Sequence, residues 1–271
     1  MQLDQQRIAI RERGHLEVLD LSLRVAASHA APLAAALVVG ILPLAAANAW
    51  LLSDVARSVA EGEFPGEYLW YMLLLVLWEI PLATAPATLY LGQAMFLQRA
   101  EAARIARAWL VSLPQLFLFQ VVLRGMLMLP VVTWFVPASF WPYLNEIILL
   151  ERNPLRAGRT GRVTTYRRMT SLHSGLAGDL FGHWLVSLLI GAALLASFWF
   201  SMWFLAAVLL NAWAWEGPAY TVYFPIALWL VVALFAVARF LGYLDVRIRR
   251  EGWEVELLMR AEEVRLTRRR T

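Results

Sequence analysis

WLVSLLIGAALLASFWFSMWFLAAVLL, residues 184–210, is a run of apolar and small residues without one charge. As a helix it would rise about 40 Å, more than the roughly 30 Å hydrocarbon core of a bilayer. Four further long runs lie before and after it, at 31–52, 68–96, 110–135 and 220–243, and a shorter one lies at 137–150. The composition agrees: 61% of the 271 residues are hydrophobic and 16% are charged, with a mean hydropathy of +0.59. A soluble domain averages about 45–50% apolar and about 25% charged. The reading is an all-α, polytopic bundle of about six spanning helices over 1–243, followed by a charged tail over 244–271.

Two runs carry features that a span must accommodate. The second is broken by Glu79 and holds Pro81 and Pro86, each of which removes a backbone donor and predicts a bend. The third carries Arg124 near its middle. The run at 137–150 rises only about 20 Å, so it must tilt, borrow residues from Glu151 onward, or dip in and return. Arg239 lies close enough to the end of the last span to snorkel.

All 24 basic residues are Arg, and they collect on alternate connections. Arg7, Arg11, Arg13 and Arg24 precede the first span; Arg99, Arg104 and Arg107 follow the second. Arg152, Arg156, Arg159, Arg162, Arg167 and Arg168 follow the fourth, and Arg247, Arg249 and Arg250 open the tail. The opposite connections hold Arg57 alone, beside Asp54, Glu61, Glu63, Glu67 and Glu216. Loops rich in Arg stay on the cytoplasmic side, which predicts a multi-pass protein with both termini cytoplasmic. Trp50, Trp70, Trp134, Trp141, Trp213, Trp215 and Tyr220 are expected at the outer headgroup layer. The polar stretch before the first span lacks the layout of a cleavable signal peptide.

Short basic segments precede the first, third and fifth spans with apolar residues at helical spacing: Leu16, Leu19 and Leu23; Ile105 and Trp109; Val163, Tyr166, Met169, Leu172, Leu176 and Leu180. Each is expected as an amphipathic helix in the inner interface, with its apolar side toward acyl chains. The tail reads as a further amphipathic helix broken near Gly252.

Charge inside hydrocarbon is costly, so Glu79, Arg124 and Glu146 are the candidate intramembrane polar residues. Glu79 and Arg124 stand on antiparallel spans and can pair, which would lock two helices or line a polar path; Glu146 can pair with Arg124 or Arg152. The arginines from Arg152 to Arg168 with Arg247, Arg249 and Arg250 are the candidate contacts to anionic headgroups or to a protein partner. No catalytic residue, cofactor or metal site is assigned: Cys is absent, and His15, His29, His173 and His183 show no ligand spacing. Ser174 with His183 suggests a hydrolase pair, but Ser174 falls in a basic connection rather than inside a span. No phosphate-binding glycine motif occurs, and arginines beside spans are explained by orientation and lipid rather than by nucleic acid.

Three stretches have a shared character: Leu16-Glu-Val-Leu-Asp-Leu-Ser-Leu-Arg24 with the following Ile41-Leu-Pro43; Asn145 to Arg156 with its Glu-Arg-Asn-Pro turn; and Tyr243-Leu-Asp-Val-Arg-Ile-Arg-Arg-Glu-Gly-Trp-Glu-Val-Glu-Leu-Leu258. In these the chain resembles the membrane domain family of glycerophosphoryl diester phosphodiesterase, six-helix bacterial integral membrane proteins. The resemblance implies the fold and a bacterial inner-membrane setting. It does not imply the reaction, because the acidic and His residues of the soluble barrel fused to some members have no counterpart here. The expected function is a non-enzymatic scaffold or accessory subunit of an envelope complex. The second expectation is a transporter or permease subunit whose path is lined by Glu79, Arg124 and Glu146.

Overall fold

The computed structural model describes residues 14–96, 100–128, 136, 141–155, 163–211, 213, 215 and 217–251. Among these the regular structure is helical, with no strand. In chain order the helices are α1 (His15–Ser28), α2 (Ala30–Leu51), α3 (Ser53–Ala60) and α4 (Gly66–Phe96). Helix α5 (Ala102–Leu116) passes through a π-helical stretch, Phe117–Leu123, into a last turn, Arg124–Met128. Helix α6 (Leu144–Glu146) continues as the π turn Ile147–Glu151; then follow α7 (Thr165–His173) and α8 (Ala177–Leu210). The π turn Ala219–Tyr223 leads into α9 (Phe224–Glu251).

Five of these helices are long and apolar enough to cross a membrane: Ala30–Leu51, Gly66–Met95, Ala102–Leu127, Ala177–Leu210 and Ala219–Arg250. The chain is thus an all-α, multi-pass membrane protein with about five such helices among the described residues, rather than six. The exception is the run at 137–150. Its described helical part starts at Leu144, and Asn145, Glu146, Ile147, Ile148 and Leu149 are all 1% exposed or less. They are covered by α4, α5 and α7. Hydropathy could not separate a lipid-facing run from one buried in protein, and a run this short fits either. Residues 137–140 and the end of the third run, 129–135, lie outside the described residues.

Helix α4 is the axis of the bundle, packed on α2, α5 and α9, while α8 touches chiefly α9 and has few fully buried residues. The α2–α4 crossing is close: a Cβ on Gly40 would lie 2.0 Å from the Ala83 carbonyl oxygen, so only glycine fits. Two apolar clusters stack along the bundle. One holds Val18, Leu91, Leu116, Ile147, Leu172 and Phe240; the other holds Tyr68, Met72, Val76, Phe224 and Trp229. Trp199, Trp213, Trp215 and Tyr220 gather at the end of the second cluster, where the Trp199 indole donates to the Ala219 carbonyl at 2.6 Å. Trp141 does not join them; it packs against the first cluster, because its segment leads into the buried α6. Trp134 and Glu216 lie outside the described residues.

In α1, Val18 and Val25 turn into the bundle, whereas Leu16 and Leu23 remain 67% and 55% exposed. In α7 the expectation of an acyl-facing stripe fails for Met169 and Leu172, which are buried in the core. Helix α9 runs unbroken past Tyr243 to Glu251, which places Arg247, Arg249 and Arg250 on the last span's own continuation. Residues 252–271 lie outside the described residues.

Candidate functional site

Glu79 and Arg124 do not pair with each other. Glu79 turns toward α2, where the Asn48 side-chain amide donates to its Oε2 at 2.7 Å. Asn48 is fully buried, and its own Oδ1 has no partner. Arg124 meets the adjoining face of α4. Pro81 has no N–H to give the Leu77 carbonyl four residues earlier. The Arg124 Nη2 donates to that open carbonyl at 3.3 Å, and the Trp78 indole returns a 3.0 Å bond to the Val121 carbonyl in the π stretch of α5. Two reciprocal bonds therefore brace α4 against α5. The Arg124 Nε remains buried without a partner.

Glu146 pairs neither with Arg124 nor with Arg152. Its Oε2 accepts from Arg239 Nη2 at 3.2 Å, and the same nitrogen donates to the Pro142 carbonyl at 3.0 Å. The expected snorkelling of Arg239 is thereby corrected: at 2% side-chain exposure the Glu146 carboxylate offers a stronger partner than the interface does. Asn145 beside it is fully buried, with neither amide atom bonded. The three candidate intramembrane residues thus hydrogen-bond across three different contacts, α2–α4, α4–α5 and α6–α9, with Arg124 in electrostatic reach of Glu146 and Arg239 though bonded to neither.

Where the arginines collect, the structure builds a hub that sequence reading missed. Glu151 ends the π turn of α6. Its carboxylate accepts from Arg168 Nε at 2.5 Å and Nη2 at 2.9 Å, from the Tyr243 hydroxyl at 2.8 Å, and from the Asn153 amide at 3.0 Å. The Arg247 Nε stands 3.8 Å away, with its guanidinium over the Tyr243 ring. Burial pushes the Glu151 carboxyl up, but the bonds from Arg168 and Tyr243 and the charges of Arg168 and Arg247 outweigh it and hold it below the usual carboxylate range. The next residue, Arg152, takes a left-handed conformation at φ 50°, which turns the chain and leaves its side chain exposed. The Asn153 carbonyl then accepts from Gln115 at 2.9 Å and from the Thr165 hydroxyl at 3.0 Å, tying the Glu-Arg-Asn-Pro turn to α5 and α7.

His173 closes the same end. Its Nδ1 lies 2.8 Å from the Met169 carbonyl, which only accepts, and its Nε2 lies 3.4 Å from the Tyr143 backbone N–H, which only donates. The ring is therefore neutral with the proton on Nδ1, and burial pushes its pKa down. Arg250 donates to the Ser174 carbonyl, and Arg249 pairs with Asp245 at 2.8 Å. Arg152 and Arg167 are exposed, whereas Arg156, Arg159 and Arg162 lie outside the described residues.

Ser174 and His183 are not brought together. The Ser174 hydroxyl donates to the Ser171 carbonyl, and His183 stacks on His15 at 4.5 Å, with His15 Nε2 3.0 Å from the Ser187 hydroxyl. Among the described residues no three His, Asp or Glu side chains converge as a metal site requires. The Glu-Arg-Asn-Pro turn was a visible signal for Glu151; nothing in the sequence pointed to the partners of Tyr243, Asn48 or His173, which lie 30 to 92 positions away. Comparison of the chain with protein-family models, with curated proteins and with solved structures finds no match, so the resemblance to the phosphodiesterase membrane domains gains no support from them.

Proposed function

We propose that the protein is a non-enzymatic scaffold or accessory subunit of a bacterial inner membrane, with both termini cytoplasmic, that offers an arginine-bearing end to anionic headgroups or to a protein partner. The observation that carries this reading is the Glu151 hub. One carboxylate joins α6, α7 and α9 and so holds the exposed Arg152 and Arg167, together with Arg250, on a fixed frame. Guanidinium groups at headgroup depth suit phosphate through paired N–H donors.

The transporter reading requires Glu79, Arg124 and Glu146 to share a wetted path. Their separate contacts speak for helix locking instead. The chain has no cysteine, so single cysteines test this directly. Ala45→Cys, Gln120→Cys and Ile147→Cys stand beside the three contacts, and each is expected to resist a membrane-impermeant maleimide from both sides of a proteoliposome. Labelling at two or more of these positions would favour a path and overturn the scaffold reading. In the same vesicles, Arg152→Gln with Arg167→Gln is expected to lower retention of anionic over zwitterionic lipid during purification.

A further inference from the structure

We propose that Glu79 is a proton-binding site inside the membrane: a carboxylic acid that stays neutral at neutral pH, joined to Asn48 by two hydrogen bonds. The argument begins with what surrounds it. Helix α2 contains no charged residue between Ala30 and Leu51, and α9 has none between Phe224 and Arg239. From α5 comes Arg124, whose guanidinium bonds the Leu77 carbonyl. Asp54 and Arg57 of α3 pair with each other at the bundle's end. On α4 itself the next titratable groups are Tyr71, Tyr68 and Glu67 on one side and Tyr90 on the other, each two turns or more away; Tyr68 bonds the Thr221 carbonyl, and the Tyr90 hydroxyl lies 2.9 Å from His29 Nδ1. Glu79 thus has one side-chain partner, the neutral amide of Asn48.

An ionised Glu79 fits this setting badly on two counts. It would stand as a carboxylate at hydrocarbon depth with no cation bonded to it. It would also leave the Asn48 Oδ1, in a fully buried side chain, without a donor. One added proton removes both faults. The acid's carbonyl oxygen accepts the Asn48 N–H, and its O–H donates to the Asn48 Oδ1, so that amide and acid pair as a closed ring with no charge and no orphan. The proton comes from water and returns to it; no other group changes.

The test uses the full chain in lipid nanodiscs. With 13C-labelled glutamate, infrared difference spectra at neutral pH are expected to show the carbonyl stretch of a protonated acid, absent in Glu79→Gln. Glu79→Gln itself should fold with undiminished thermal stability, because its amide reproduces both bonds of the neutral acid. A membrane-soluble carbodiimide, which adds to protonated carboxyls in apolar surroundings, should modify wild-type Glu79 at neutral pH and progressively less in alkali. Peptide mass spectrometry assigns that adduct without any variant. Glu79 spectroscopically ionised at neutral pH, or unmodified by a carbodiimide that reaches the same nanodiscs, would overturn the proposal.

Discussion

Glu151→Gln keeps the shape of the side chain and removes its charge, so it reads the value of the hub directly. In the wild-type protein the carboxylate accepts from Arg168 twice, from Tyr243 and from Asn153, with Arg247 close by. A glutamine keeps one acceptor and turns an NH2 toward guanidinium donors. Breaking a buried pair by removing one partner costs about 3–5 kcal/mol. The side chains of Glu151 and Arg168 keep 12% and 21% exposure, so water reclaims part of the loss and the lower end applies. About 3 kcal/mol corresponds to a drop of about 6–12 °C in Tm for a chain of this size. The assay is thermal unfolding of the reconstituted chain followed by tryptophan emission across a pH series. Because the folded carboxyl is held below its ordinary range, its contribution is complete above the unfolded value of about 4.3 and disappears as pH falls through the lower folded value. The gap between wild type and Glu151→Gln should therefore be constant near neutrality and close in strong acid. Equal Tm values at neutral pH, or a gap that persists after the carboxylate is protonated, would refute the hub.

Other contacts are open to the same kind of measurement. Arg124→Met should cost about 1 kcal/mol less in a Pro81→Ala background than alone, since alanine at that position supplies the N–H that the Leu77 carbonyl otherwise takes from arginine; a double-mutant cycle on unfolding midpoints measures this coupling. Gly40→Ala places a Cβ 2.0 Å from the Ala83 oxygen and should lose about 1–3 kcal/mol of stability. Gly182→Ala, inside α8, meets nothing within 4 Å and should gain about 0.5–1 kcal/mol in the same denaturation assay. Glu146→Leu leaves Arg239 with the Pro142 carbonyl alone and should cost about 3–5 kcal/mol, most of it recovered when Arg239→Met is added.

The legible part of this fold is the part that composition and length control. The uncharged 184–210 run lies inside α8, which has few fully buried residues and packs one half-buried face on α9, so its hydropathy reports mainly lipid. The same signal misleads at 137–150, where Ile147, Ile148 and Leu149 are as apolar as a span and as buried as a soluble core. At the polar contacts, sequence names the costly residues correctly but not their partners. Opposite charge suggests Glu79 with Arg124, yet the α4 faces that hold them differ: Trp78 meets α5 while Glu79 meets α2. Arg239 and Glu146 are separated by 93 positions, and helical periodicity carries no information about that meeting.

Irregular backbone accounts for some of the partners that charge does not. Most guanidinium groups here meet carboxylates, but three also reach carbonyls at breaks in helical bonding: Arg124 to Leu77, opened by Pro81; Arg239 to Pro142, ahead of α6; Arg250 to Ser174, between α7 and α8. In hydrocarbon an open carbonyl and an unpaired cation are each costly, and one contact relieves both. The π stretches act alongside. They loosen the register at Val121, which takes the Trp78 bond, and at Glu151, which becomes the hub. At Pro81 the opened carbonyl draws its donor from another helix, and at the π stretch of α5 the Val121 carbonyl does the same. Pro81 with Arg124 is an address that two spans share, and it is the kind of pairing that charge matching alone passes over.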